Sequence, residues 1–239
     1  MKVLLTRPHG RNQDMIDSLT ARGIAHLVAP LLAVAEVPAS QHLLTKEQVL
    51  SSDILIFVST NAVTFGKQAL GQEWPQDKQY FAVGQATWAA LKADGIEALQ
   101  APLDCQETEG LLTLAELNQV TNKQVVIVRG NGGREDLGII LQQRGAKVSF
   151  WQVYQRVCPA LATGAALAWY QFGIDTIVVT SGAVLENLIT LVPKELFPWL
   201  QACHIIVPSN RVERQAIALG MLKVTNAGGA HSQAMMAAL

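Results

Sequence analysis

The polar residues with most chemical reach in this 239-residue chain lie in short loops that follow apolar runs. "TRPHGRNQD" (6–14) carries Arg7, "STNAV" (59–63) carries Ser59, Thr60 and Asn61, and "VGQAT" (83–87) carries Gly84. The second half repeats the arrangement. "RGNGGRED" (129–136) carries Arg129 and Gly130, "TSGAV" (180–184) carries Thr180 and Ser181, and "PSNRVER" (208–214) carries Ser209. Ser, Thr or Asn just ahead of a helix caps its first N–H groups. Where those N–H groups stay free, they attract phosphate or carboxylate. Six such starts facing one cleft would suit a ligand with several acidic arms. Arg7 and Arg129 each end an apolar run, where a guanidinium can fork a carboxylate or hold a carbonyl at a sheet edge. In "VYQR" (153–156), extended alternation puts Gln152, Tyr154 and Arg156 on one side and Trp151, Val153 and Gln155 on the other. Tyr154 reads as a packed aromatic or as a hydrogen-bonding group over a cleft, and Arg156 as a carboxylate contact or a clamp on its own segment.

Other chemistries find little support. "RGNGG" lacks the Lys-Ser/Thr of a P-loop and does not match G-x-G-x-x-G. No G-x-S-x-G, H-E-x-x-H or close carboxylate dyad occurs, and His9 and His231 read as surface residues. Asp53 and Asp175 precede apolar runs, at the end of a sheet away from these loops. Cys105, Cys158 and Cys203 form no close pair and the five histidines are scattered, which argues against a disulfide framework and a Cys/His metal site. Lys+Arg 18 against Asp+Glu 19 gives a net charge of -1 and no pull toward nucleic acid. The first residues do not read as a signal peptide, and no stretch approaches the ~20 apolar residues that span a bilayer. A reducing, cytoplasmic setting is expected.

The loops must be held by regular elements, and an internal repeat supplies them. At a shift of 122, "KVLLTRPHGRNQDMIDSLTARGIAHLVAP" (2–30) lies on "QVVIVRGNGGREDLGIILQQRGAKVSFWQ" (124–152), so that Arg7 meets Arg129. The same shift lays "DILIFVST" (53–60) on "DTIVVTSG" (175–182), and "YFAVGQATWAALKADGI" (80–96) resembles "HIIVPSNRVERQAIALGM" (204–221). Short apolar, β-branched runs predict strands over 3–5, 27–31, 54–58, 80–83, 125–128, 148–153, 177–179 and 204–207. Helices are predicted between them, among others over 107–117 and 160–171. Strands alternating with helices imply an α/β fold of parallel sheets flanked by helices. Two layouts fit. In one, the repeats are sequential domains, 1–120 and 121–239. Alternatively the chain crosses over at "VAEVPAS" (34–40) and "VYQRVCP" (153–159), so that each domain mixes the two repeats.

The chain resembles the uroporphyrinogen-III synthase family along essentially its full length. The resemblance rests on "VLLTRP" (3–8), "FVSTNAV" (57–63), "FAVGQATWAALKADG" (81–95), "VVIVRGNGGREDLGIILQQRG" (125–145), "VYQR" (153–156), "VVTSGAVLENL" (178–188) and "VPSNRVERQAIALG" (207–220). It implies the crossed layout: two similar α/β domains, 1–35 with 159–239 and 39–152, joined by linkers at 36–38 and 153–158. It implies a lyase of porphyrin and heme biosynthesis that closes hydroxymethylbilane, a linear tetrapyrrole with carboxylate arms, into uroporphyrinogen III with inversion of the terminal ring and loss of water. By motif position Tyr154 assists departure of the hydroxyl. Ser209 falls on a carboxylate-contacting position, and Thr180, Ser181 and Ser59 fall on the family's "TS" pattern. The loops "VTSGAV" and "VPSNR" depart from that pattern in detail. The resemblance further implies no cofactor, no metal, a monomer, no nucleic-acid or membrane partner, and transient contact with the preceding pathway enzyme. The rival reading is a non-catalytic, two-lobed α/β module that binds a polycarboxylate.

Overall fold

The structure, a computed structural model, describes every residue except Gln72. Among the described residues eleven strands run in chain order: β1 (Lys2–Leu5), β2 (Ala25–Val28), β3 (Ala33–Glu36), β4 (Ile54–Phe57), β5 (Gln79–Ala82), β6 (Ala98–Gln100), β7 (Gln124–Gly130), β8 (Lys147–Val157), β9 (Thr176–Val178), β10 (His204–Val207) and β11 (Lys223–Asn226). They form a five-stranded sheet, β11-β10-β9-β1-β2, and a six-stranded sheet, β3-β8-β7-β4-β5-β6. The five-stranded sheet is parallel throughout, as is the run β8-β7-β4-β5-β6. Helices between successive strands provide the crossovers that parallel pairing requires.

Contacts divide the chain into two compact units, Met1–Ala33 with Val157–Leu239, and Val34–Arg156. The chain leaves the first unit at the start of β3 and re-enters it at the end of β8. Under the 122-residue shift β1 corresponds to β7, β2 to β8 and β4 to β9, so the two sheets share one strand order while each takes its strands from both repeats. A pair of aspartates shows the exchange at atomic level. Asp53 accepts from the Gln124 backbone N–H at 2.8 Å, and its own N–H donates to Gln124 O at 2.9 Å. Asp175 does the same with Lys2, at 3.0 and 3.1 Å. Both sit at the amino ends of the strands, away from the loops that carry the candidate site.

The core lies on both faces of each sheet. In β4, Leu55 and Phe57 enter one cluster and Ile54 and Ile56 the other, which is why "ILIF" is apolar at every position. Full burial of a side chain such as Phe57 or Phe81 contributes about 2–3 kcal/mol.

Four details depart from the expected elements. β3, β6 and β11 gave no strand signal; all three are edge strands, and their half-exposed side chains dilute the apolar pattern. β8 does not stop at 153 but runs on to Val157, because β3 lies beside it and Val37 N–H donates to Val153 O at 3.0 Å. The helix expected over 107–117 is a single turn, Thr108–Leu111, followed by the 3₁₀ turn Ala115–Asn118. There the Thr113 hydroxyl takes the Gly110 carbonyl at 2.7 Å, a local bond that competes with helix continuation. The helix expected from 160 begins at Ala165, after Gly164 in the left-handed region (φ 79°).

Candidate functional site

Tyr154 owes its position to an irregularity in β8. Pairing with β7 runs in step to Arg129↔Gln152, then shifts so that Gly130 faces Tyr154. The extra residue breaks the alternation. Val153 and its neighbour Tyr154 both pack with the cluster that holds Trp151, instead of on opposite faces as strict alternation predicts. The Tyr154 ring lies against Gly130, and its carbonyl accepts from Asn131 N–H at 2.7 Å. Phe65 flanks it with ring centroids 6.0 Å apart. The phenol oxygen is 2.9 Å from Ser59 Oγ. Ser59 in turn caps the helix Thr60–Leu70, accepting from Ala62 N–H at 3.1 Å.

Tyr154 lines a cavity of about 250 Å³ at the carboxyl ends of β4, β5, β7 and β8, within the unit Val34–Arg156. Val58, Val83, Ile127 and Phe150 give it apolar walls, and Arg129 and Arg156 reach its lining. Tyr154 and Arg156 both line this cavity. The Arg156 side chain is exposed and makes no ion pair among the described residues.

Arg129 is buried, and its guanidinium serves its own loop. It donates to the carbonyls of Gly130 (3.3 Å), Arg134 (3.0 Å) and Gly132, and lies 5.0 Å over the Phe150 ring. Gly133, at φ 101°, lets the loop wrap that close. Its repeat partner Arg7 behaves alike in the other unit. It donates to Arg11 O at 3.3 Å, Ser232 Oγ at 2.9 Å and Ala230 O. Burial pushes the Arg7 guanidinium down from its ordinary value, against the opposing pull of Asp14. Both arginines make the carbonyl contact that the sequence offered as one of two readings, with three hydrogen bonds from the five N–H donors of each guanidinium.

The remaining candidates open helices. Thr60 is exposed, Asn61 is half-buried, and neither side chain makes a hydrogen bond as donor among the described residues. Gly84 precedes the helix Gln85–Ala93, whose first N–H is taken by the Gln106 side-chain oxygen at 3.2 Å. In the unit containing both chain ends, Arg7, Thr180 and Ser209 follow the neighbouring strands β1, β9 and β10 at the carboxyl end of the sheet. Ser181 caps the helix Gly182–Leu191, accepting from Val184 N–H at 3.3 Å. Ser209 stands at the same position on the helix Asn210–Ala218, yet its hydroxyl makes no cap bond.

Sequence reasoning did not find the contact between Ser59 and Tyr154, residues 95 apart in the chain. The repeat offers no hint, since at the 122-residue shift Tyr154 falls on Leu32. It also missed Gln106 and Phe65, which carry no motif.

The family model described as uroporphyrinogen-III synthase HemD matches residues 13–237. The uroporphyrinogen-III synthase of Salmonella typhimurium is 36% identical over 249 residues, covering 100% of both chains. That of Escherichia coli is 34% identical over 248 residues, again covering 100% of both. Among solved structures, the uroporphyrinogen-III synthetase of Helicobacter pylori aligns with a TM-score of 0.60 at 14% identity, covering 99% of this chain and 96% of that one; at such identity the likeness speaks for the fold.

Proposed function

The chain belongs to the uroporphyrinogen-III synthase family, an enzyme family of tetrapyrrole synthesis, and from that membership we propose that it converts hydroxymethylbilane to uroporphyrinogen III as a hydro-lyase. The observation that carries the site assignment is the phenol of Tyr154, fixed in a cavity by Gly130, Phe65 and Ser59. In this reading the hydroxyl of the terminal hydroxymethyl group leaves with a proton from Tyr154. The C–O bond breaks, the oxygen departs as water, and an electrophilic azafulvene remains. Attack by the substituted position of the last pyrrole gives a spiro intermediate, and its opening and reclosure invert the ring.

Uncatalysed closure gives the other isomer, so the enzyme's task is to hold the folded chain in one geometry. Free hydroxyls and helix-start N–H groups suit that task, and we assign substrate carboxylates to Thr60, Asn61, Gly84, Gly130, Thr180, Ser181 and Ser209. Arg7 and Arg129 contribute by fixing loops. Arg156, exposed at the lining of the Tyr154 cavity, is the cation best placed for a carboxylate arm there. The reading includes turnover without metal or cofactor, in the cytoplasm, by a monomer.

The test is to incubate the protein with freshly made hydroxymethylbilane, with and without chelator, and to resolve the type I and type III products. Type III product in both arms is expected. Type I product alone would favour a binding module over an enzyme. Tyr154→Phe is expected to lose most turnover; a wild-type rate would remove Tyr154 from the mechanism.

A further inference from the structure

We propose that Ser59 is a positioning residue that sets the direction of the Tyr154 proton: Ser59 donates to the phenol oxygen, so that the phenol O–H turns away from it and into the cavity. The inference rests on the reading of Tyr154 given above and assigns Ser59 a role different from a carboxylate contact. A hydroxyl has one proton and two lone pairs. One Ser59 lone pair accepts from Ala62 N–H at 3.1 Å. Among the described residues, the acceptor within reach of the Ser59 proton is the Tyr154 oxygen, 2.9 Å away. With Ser59 as donor, its proton and a lone pair are both used. With Tyr154 as donor, Ser59 accepts twice and its own proton has no protein partner. The first arrangement leaves the Tyr154 proton free for a group in the cavity that Tyr154 lines.

The chain of bonds has a direction. It begins at the N-terminus of the 11-residue helix Thr60–Leu70, where the peptide dipoles present their positive end. Ala62 N–H polarises Ser59, and Ser59 polarises the phenol. When the substrate C–O bond breaks, its oxygen keeps the bonding pair, takes the Tyr154 proton and leaves as water. Tyr154 is left with a negative charge, which the Ser59 hydrogen bond and the helix end stabilise. The azafulvene, still protonated on its ring nitrogen, carries the matching positive charge, and the phenolate regains a proton when the closing pyrrole carbon gives up its own to restore aromaticity.

Three substitutions separate this role from simple helix capping. Ser59→Thr keeps both cap and donor. Ser59→Ala removes both. Ser59→Asp keeps the cap, because a carboxylate caps as well as a hydroxyl, but it accepts only and draws the Tyr154 proton toward itself. Each variant is assayed for type III product and thermal midpoint. Ser59→Thr is expected to stay within about twofold of wild-type kcat, and Ser59→Ala to lose about tenfold in kcat at unchanged KM, the loss of one oriented hydrogen bond. Ser59→Asp is expected to keep its thermal midpoint and lose at least as much kcat as the alanine variant. Adding Ser59→Ala to Tyr154→Phe is expected to cost nothing further, since the two act as a unit. Wild-type kcat in Ser59→Asp beside a crippled Tyr154→Phe overturns the Ser59 assignment alone. A loss confined to KM overturns it in favour of a carboxylate contact. Wild-type turnover in Tyr154→Phe overturns the reading of Tyr154 itself. Should the alanine variant fail to fold, the threonine and aspartate variants decide.

Discussion

The ring of Tyr154 lies on bare backbone at Gly130: a β-carbon built on that glycine would stand 2.5 Å from Cε2 and 2.7 Å from Cζ. Carbon atoms do not approach so closely, so any other residue at 130 must displace the ring or the strand. Glycine here answers a packing need. It faces Tyr154 at the point where the β7–β8 register slips, and the slip and the missing side chain together bring the phenol to Ser59.

Gly130→Ala should therefore act through Tyr154. Overpacking of this kind costs about 1–3 kcal/mol. The larger effect should be on turnover, which falls toward the level of Tyr154→Phe as the hydroxyl leaves Ser59. Urea unfolding and the type III product assay on one preparation check both. Wild-type values in each would mean that the ring relocates without consequence.

Arg129 is the second support of the cavity wall. Replacing it with Met keeps much of the bulk but leaves the carbonyls of Gly130, Gly132 and Arg134 without its donors. The expected loss is about 1–3 kcal/mol, because Gly130 is buried, while Gly132 and Arg134 are exposed and their carbonyls can turn to water. Arg129→Lys should recover only part of it, because a single ammonium does not reproduce the guanidinium fork. Amide hydrogen exchange over 130–134 should rise in both variants, and unchanged protection would show that the loop holds itself.

What could be read from sequence follows from where information is local. β1, β4, β7 and β9 announce themselves because strands buried on both faces are written in Val, Ile, Leu and Phe. The crossing of the chain was one of two layouts that the repeat allowed, for the repeat shows equivalence and not partnership; the pairing of Asp53 with Gln124 and of Asp175 with Lys2 is visible only in three dimensions. Ser59 and Ser181 were legible as caps, since a cap is made with the residue three positions on. The use of Arg7 and Arg129 was not, because an arginine at a strand end reads the same whether it meets a ligand or a carbonyl. The slip at Gly130 was not legible either. Alternation is a rule for unbroken ladders, and nothing in "VYQR" announces that its partner strand drops out of register.

Ser181 and Ser209 occupy like positions on two helices and should respond differently to alanine. Ser181 holds Val184 N–H at 3.3 Å, whereas the Ser209 hydroxyl makes no cap bond. Ser181→Ala should lower stability by about 1 kcal/mol, the usual worth of a cap. Ser209→Ala should leave the thermal midpoint close to wild type and raise KM for hydroxymethylbilane, as expected of a hydroxyl kept free for substrate. A fall in the Ser209→Ala midpoint matching that of Ser181→Ala, with KM unchanged, would make Ser209 an ordinary cap.

Asp175 ties stability to pH. Burial pushes its carboxyl up, but the Lys2 backbone N–H and the Thr176 hydroxyl, at 3.0 and 2.8 Å, outweigh burial and hold it below the usual carboxylate value. A carboxyl whose folded-state value is depressed binds protons more readily in the unfolded chain. Its contribution is complete at neutral pH, begins to fall as pH drops toward the ordinary carboxylate value, and is gone below the folded one. The group is more than half exposed, at 55%, so solvent screens the interaction and roughly 1 kcal/mol is the scale to expect. Asp175→Asn can still accept from Lys2 but loses the charge. Thermal midpoints measured from pH 7 down to pH 2 should show the variant less stable at neutral pH and the two curves converging in acid. Parallel curves over the whole range would show that the ionised form of Asp175 brings no stability of its own, and that the acid sensitivity of the fold lies in other carboxylates.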